Sequence, residues 1–136
     1  MDRQEQIEFL LDHYENPRHK APLAGEGVVM VEGGNPGCGD TVRIYLQADA
    51  DGRAVVTFEG EGCTISQASA SYLAELATGQ TFDALAQIDH NDLIDALGRD
   101  IVTQRTRCAT LPLDTLRAAL RKRERQQRDL NLAKVA

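Results

Sequence analysis

The scarcities of this chain narrow it first. Its 136 residues hold three cysteines, an odd number, widely spaced and without a Cys-x-x-Cys pair. That argues against a disulfide framework and leaves the thiols as packing residues, reactive groups or metal ligands. No apolar run approaches the length of a membrane span, so no membrane partner is expected. Met1 to Gln6 contains no signal-peptide hydrophobic stretch, and the expectation is a cytoplasmic protein. Internal repeats are absent. Basic residues are thin over most of the chain: residues 1–116 carry 19 acidic and 8 basic side chains, or −11, against 2 and 7, or +5, in residues 117–136. An acidic body repels phosphate, which counts against nucleic acid as a partner. The basic end reads as a solvated helix face. The length fits one domain with a core of its own.

The elements follow from periodicity and punctuation. Ile7, Leu10, Leu11 and Tyr14 fall on one helical face, and Asn16-Pro17 stops that helix. Val28 to Val31 is a short β-branched run. Thr41 to Gln47 alternates, with Val42, Ile44 and Leu46 against Thr41, Arg43 and Tyr45, the pattern of a half-buried strand. Asp51-Gly52 is a hairpin signal, and Ala54 to Glu59 returns as the next strand. These runs predict a three-stranded antiparallel sheet. Thr64 to about Gly79 reads as a helix capped by Cys63 or Thr64, so rich in Ala and Ser that close packing must explain it. Short helical pieces follow at Thr81–Ile88 and Asn91–Leu97. Arg99 to Arg107 reads as a loop or short extended stretch. A last helix then begins after Cys108, with Pro112 in or near its first turn, and the polar run after Leu120 is expected to fray into a tail. The domain proper is thus residues 1–120, and 121–136 is a basic helix end and tail.

The stretch Gly33 to Asp40, Gly-Gly-Asn-Pro-Gly-Cys-Gly-Asp, has four glycines and a proline in eight residues and predicts a tight, shaped loop. Cys38 and Asp40 are separated by Gly39 alone, and in extended backbone side chains at i and i+2 leave on the same side. A sulfur and an oxygen donor there form half of a possible metal site, and Cys63 and Cys108 would supply the rest. Both of those lie where a loop becomes a helix, a position that favours thiolates. Three thiolates and the Asp40 carboxylate would complete a tetrahedral Zn2+ site or serve as terminal ligands of an iron–sulfur cluster. The plainer alternative is that the cysteines only fill the core.

The segments Gly34-Asn-Pro-Gly-Cys-Gly-Asp40, Gly62-Cys-Thr-Ile-Ser-Gln-Ala-Ser-Ala-Ser71 and Arg107-Cys-Ala-Thr-Leu111 together resemble the iron–sulfur assembly family of IscU, SufU and the NifU N-terminal domain. Asp12-His-Tyr-Glu-Asn-Pro-Arg18 is similar to that family's N-terminal signature. The resemblance runs from about Ile7 to Leu120. It implies a single α+β domain, a three-stranded antiparallel sheet with about four to six helices packed on it. It also implies that Cys38, Asp40, Cys63 and Cys108 hold zinc or a transient 2Fe-2S cluster. The partners implied are a cysteine desulfurase, which delivers persulfide sulfur, and apo iron–sulfur acceptor proteins. By position Cys38 matches the SufU-type sulfur acceptor and Cys108 the IscU-type one. The IscU-type histidine before the third cysteine is replaced by Arg107. The Leu-Pro-Pro-Val-Lys chaperone segment is replaced by Ile101-Val-Thr-Gln-Arg105, so a dedicated Hsp70-type chaperone is not carried over. Thr64-Ile-Ser-Gln-Ala-Ser-Ala-Ser is similar to SufU, yet only 44 residues separate Cys63 from Cys108, without the SufU insertion.

Three readings follow. The first is an assembly protein that accepts sulfur and builds a transient cluster for transfer, a scaffold rather than a turnover enzyme, with Asp40 keeping the site labile. The second is a zinc-dependent sulfurtransferase that relays persulfide. The third is a small structural zinc-binding interaction domain. Arg107 is a possible thiolate or persulfide stabiliser. His13, His19 and His90 are read as surface or capping residues, Ser66 and Ser69 as packing, and Asp49 and Asp51 as turn chemistry.

Overall fold

The computed structural model describes residues 2–35 and 39–135. Helix α1 (Arg3–Glu15) leads to strand β1 (Val29–Asn35), β2 (Asp40–Ala48) and β3 (Ala54–Glu61). Helices α2 (Thr64–Ala77), α3 (Phe82–Ala86), α4 (His90–Leu97) and α5 (Arg99–Val102) come next, then a 3₁₀ turn (Thr103–Arg105) and α6 (Thr106–Val135). The strands form one antiparallel sheet in the order β1-β2-β3. The fold is α+β, as the sequence predicts.

Alternation along β2 sets the sheet's inner face. Val42, Ile44 and Leu46 are fully buried, with Arg43 and Tyr45 on the wetter side, and Asp40 is in phase with the buried set. These residues pack with Val56 and Phe58 of β3, Leu73, Ala74 and Ala77 of α2, and Leu113, Leu116 and Ala119 of α6. A second apolar cluster lies across α2, built from Leu10, Ala68, Ile94, Leu97, Val102 and Ala109. Helix α2 is therefore covered on both sides, and Ser66 through Ser71 are all buried. Their small side chains let neighbouring elements close in, and the hydroxyls find partners: Ser69 Oγ donates to Ala109 O at 2.6 Å. Helix α6 likewise crosses β1 so closely that a Cβ on Gly33 would overlap Thr115 Oγ1.

Four expectations are corrected. The glycine-rich stretch is not all loop, because Gly33, Gly34 and Asn35 pair with Val42, Thr41 and Asp40 in the first hairpin. Glycine marks a close approach in this strand, since a side chain on Gly33 would meet Thr115 of α6. Residues 99–105 are helical rather than loop or extended, with Val102 buried in the second cluster. Helix α6 starts at Thr106, so Cys108 lies inside its first turn and Pro112 further along it. The helix also continues past Leu120 to Val135 instead of fraying. Among the described residues, no helix is long and apolar enough to cross a membrane.

Candidate metal centre

Three elements bring the site together at the end of the sheet. Asp40 is the first residue of β2, and the two-residue period turns its side chain inward with Val42, leaving it 1% exposed. Cys63 is the N-cap of α2, where its Sγ accepts the Ser66 N–H at 3.5 Å. Cys108 projects from the first turn of α6 and is 1% exposed. One ligand atom from each of Asp40, Cys63 and Cys108 lies within 4.8 Å of the others, the one such convergence of His, Cys, Asp and Glu among the described residues. Cys38 lies outside the described residues.

The carboxylate is held tightly. Asp40 Oδ1 accepts the Cys63 N–H at 2.7 Å, and Cys63 Sγ sits 3.6 Å from Oδ2. Burial pushes the Asp40 carboxyl up, but hydrogen bonds from Cys108, from the Cys63 backbone and thiol and from Ser66 outweigh it, and the result lies below the ordinary carboxylate value. Asp40 therefore stays an anion beside two thiols. Gly62 makes the close approach possible: a Cβ there would overlap Asp40 Oδ1, and the residue sits at φ +145°. Two soft sulfurs and one harder oxygen at this spacing form a donor set that suits Zn2+ or an iron–sulfur cluster. A tetrahedral centre needs one donor more.

The other sequence candidates scatter. Arg107 is exposed on α6, one residue before Cys108. His19 is exposed, and His90 Nε2 lies 2.7 Å from Asp114. His13 is a correction: it is 2% exposed, neither surface nor cap, with Nδ1 2.7 Å from Ser71 Oγ. None of the three histidines joins the Asp40 group. The sequence reading also passed over Gly62, which makes room for Asp40, and Ser66, whose hydroxyl donates to the Cys63 carbonyl at 3.1 Å. A signal was present, since Ser66 stands three residues after the N-cap, where side chains bond back to a helix start.

The family model for the NifU-like N-terminal domain matches residues 5–129. The chain belongs to this family. Among relatives of this NifU-like chain, the zinc-dependent sulfurtransferase SufU of Bacillus subtilis is 33% identical over 134 residues, covering 86% of the chain and 90% of that protein. The iron–sulfur cluster assembly scaffold protein IscU 1 of Archaeoglobus fulgidus is 32% identical over 112 residues, covering 82% and 71%. A solved structure described as a putative iron–sulfur cluster assembly scaffold protein for the SUF system, from Fervidobacterium islandicum, superimposes with a TM-score of 0.63 at 31% identity, covering 83% and 94%. The N-terminal part of a nitrogen-fixing NifU-like protein from Brucella abortus shares the fold, with a TM-score of 0.71 at 22% identity over 91% and 99% of the two chains.

Proposed function

We propose that this chain is an iron–sulfur cluster assembly protein that accepts sulfur from a cysteine desulfurase and assembles a transient 2Fe-2S cluster for transfer to apo-proteins. The observation that carries the reading is the convergence of Asp40, Cys63 and Cys108 within 4.8 Å in a member of this family. Cys38 is proposed as the fourth donor. In sulfur acceptance, a cysteine thiolate of this chain attacks the outer sulfur of the donor's persulfide. The new S–S bond forms as the donor cysteine leaves as a thiolate, so no outside oxidant is needed. Cys38 and Cys108 are the proposed acceptors, and exposed Arg107 beside Cys108 offers a positive charge to the anionic product. Asp40 supplies a more exchangeable oxygen donor, which suits a site that must release its cargo.

A second reading, the zinc-dependent sulfur relay, is favoured by the similarity to SufU over most of both chains and by arginine at position 107. In that reading Zn2+ would be held by the same four residues and would keep their thiolates deprotonated at neutral pH. One experiment separates the two: desulfuration by a cysteine desulfurase is followed with and without this protein, with persulfide mapped on each cysteine. The scaffold reading expects little stimulation and cluster formation once iron is supplied anaerobically, with a longer-lived cluster in Asp40→Ala. Strong stimulation with persulfide on Cys38, lost together with zinc in Asp40→Ala, would replace it with the relay. Neither stimulation nor a cluster would refute both.

A further inference from the structure

Helix α6 outruns the body it packs on. Arg117 Nη2 donates to Ile88 O at 2.7 Å, Lys122 reaches Met30 O, and the Arg123 guanidinium lies 3.8 Å from the centre of the Phe82 ring. From Glu124 to Ala133 every residue is exposed, so about 15 Å of helix projects into solvent. Arg121, Arg125, Arg128 and Leu132 follow one another at the spacing of a single helical face. Leu130 and Leu132 are 60% and 68% exposed. Helical stability in proteins comes mostly from packing one face, and this stretch finds no such packing in its own chain.

The complementary surface lies on the same molecule. A groove of about 510 Å³ opens between α2, α3 and α4. Tyr72 and Leu76, one turn apart on α2, join Ile88 as its partly buried apolar wall, and Asp92 and Asp95 of α4 stand exposed at its rim. Asp92 Oδ2 accepts the Asp89 N–H at 2.9 Å and Asp95 Oδ1 holds Arg99 at 2.9 Å, which leaves the other oxygen of each carboxylate for a further cation. Burial, together with the charges of Asp92 and Glu75, raises the pKa of the Tyr72 phenol, as a negative field in the groove would. The chain's own tail does not fill this groove, because α6 is one continuous helix whose end is exposed. Phe82, which meets Arg123, and Ala84 of the groove share the short helix α3, so groove and tail emerge at one end of the molecule. Two copies can therefore exchange tails reciprocally and close as a two-fold pair.

We propose that the basic end of α6, Arg121 to Leu132, docks in the α2–α3–α4 groove of a second copy of this chain, its arginines against Asp92 and Asp95 and its leucines against Tyr72, Leu76 and Ile88. The acidic body and basic end, −11 over residues 1–116 against +5 over residues 117–136, are the charge complement such a pairing needs. The pairing uses none of the metal-centre residues and does not depend on that reading. The test is sedimentation velocity on the full-length protein across the micromolar range. The wild type is expected to rise in mass from that of the 14.9 kDa chain toward double, with the dimer weakened by added salt. The tail variant Arg125→Glu/Arg128→Glu and the groove variant Asp95→Lys change exposed residues, so both should keep the wild-type circular dichroism. Each alone places like charges together and should weaken the dimer about tenfold or more. Mixed in equal amounts, the two variants should pair again, because the substituted tail then faces the substituted groove and the unchanged tail the unchanged groove. A wild type that stays monomeric at low salt would overturn the proposal and leave the tail to a different acidic partner. A dimer unaffected by both variants, or variants that fail to pair when mixed, would overturn it as well.

Discussion

At the scale of single residues, His13 shows how far a side chain can lie from the role its sequence neighbourhood suggests. Its ring meets Phe9 and Tyr72 edge-on, and Ser71 Oγ takes the Arg18 N–H at 2.8 Å while contacting His13 Nδ1. Helix periodicity could not reveal this, because His13 is brought inside by a serine 58 positions away. Burial, aided by the nearby Arg18 charge, lowers the His13 pKa, with Glu75 and Asp12 opposing. The folded form therefore binds its proton less readily than the unfolded one. That contribution is complete above the ordinary histidine value of about 6.5 and is lost as pH falls from there toward the folded value. Urea unfolding of wild type and His13→Gln from pH 7.5 to 5 should give curves that converge as the wild type loses stability; parallel curves would contradict the assignment. Gly62 offers the complementary case, since the sequence shows that it precedes Cys63 but not that it lies against Asp40. Gly62→Ala should cost about 1–3 kcal/mol from its positive φ and contact with Asp40. Zn2+ affinity should fall with it, and urea midpoints together with chelator competition check both.

At the scale of elements, the strong periodic signals were read correctly and the locally weak ones were not. Alternation gave β2, the Asp51-Gly52 turn placed β3 after it, and α2, α3 and α4 were placed to within a residue or two. Residues 99–105 were missed because Ile101 and Val102 are the only apolar residues there, too few to show a period. Tertiary packing of Val102 decides that segment. Pro112 misled in another way, since a proline near a helix start usually marks its first turn. Here it stands inside α6, where it has no N–H for the Cys108 carbonyl four residues back, and Ser69 bonds the adjacent Ala109 carbonyl from α2. The distal part of α6 makes few attachments: Lys122 Nζ donates to Met30 O at 3.1 Å, and the Arg123 guanidinium stacks 3.8 Å from the Phe82 ring centre. Leu130 and Leu132 stay exposed. Truncation after Leu120 should therefore lower stability by only about 1–2 kcal/mol and leave Zn2+ affinity unchanged. A loss of metal binding in the truncated chain would show that α6 supports the centre from a distance.

At the scale of the whole molecule, the site and the core are separate constructions, and that separation bears on the structural-zinc alternative. A zinc finger has too little apolar interior to fold without its metal. Here the inner sheet face, α2 and α6 enclose one apolar cluster, and α1, α4 and α5 close a second around the other side of α2. Neither is built on the ligands: Asp40, Cys63 and Cys108 meet at the sheet's end, joined by their own hydrogen bonds. The three candidate ligand residues could be singled out from the sequence because their short motifs survive any reading of the fold. Their mutual support could not, because it depends on how the start of β2 meets the start of α2. Metal removal should therefore leave a folded protein. After chelation the far-UV circular dichroism should be retained and the melt should remain cooperative. Its midpoint should drop, since a ligand at a thousand times its dissociation constant adds about 4 kcal/mol of stability, or roughly 10–20 °C for a domain of this size. A chelated protein that lost its helical signal and melted without cooperativity would place the metal inside the folding unit and return the chain to the structural class.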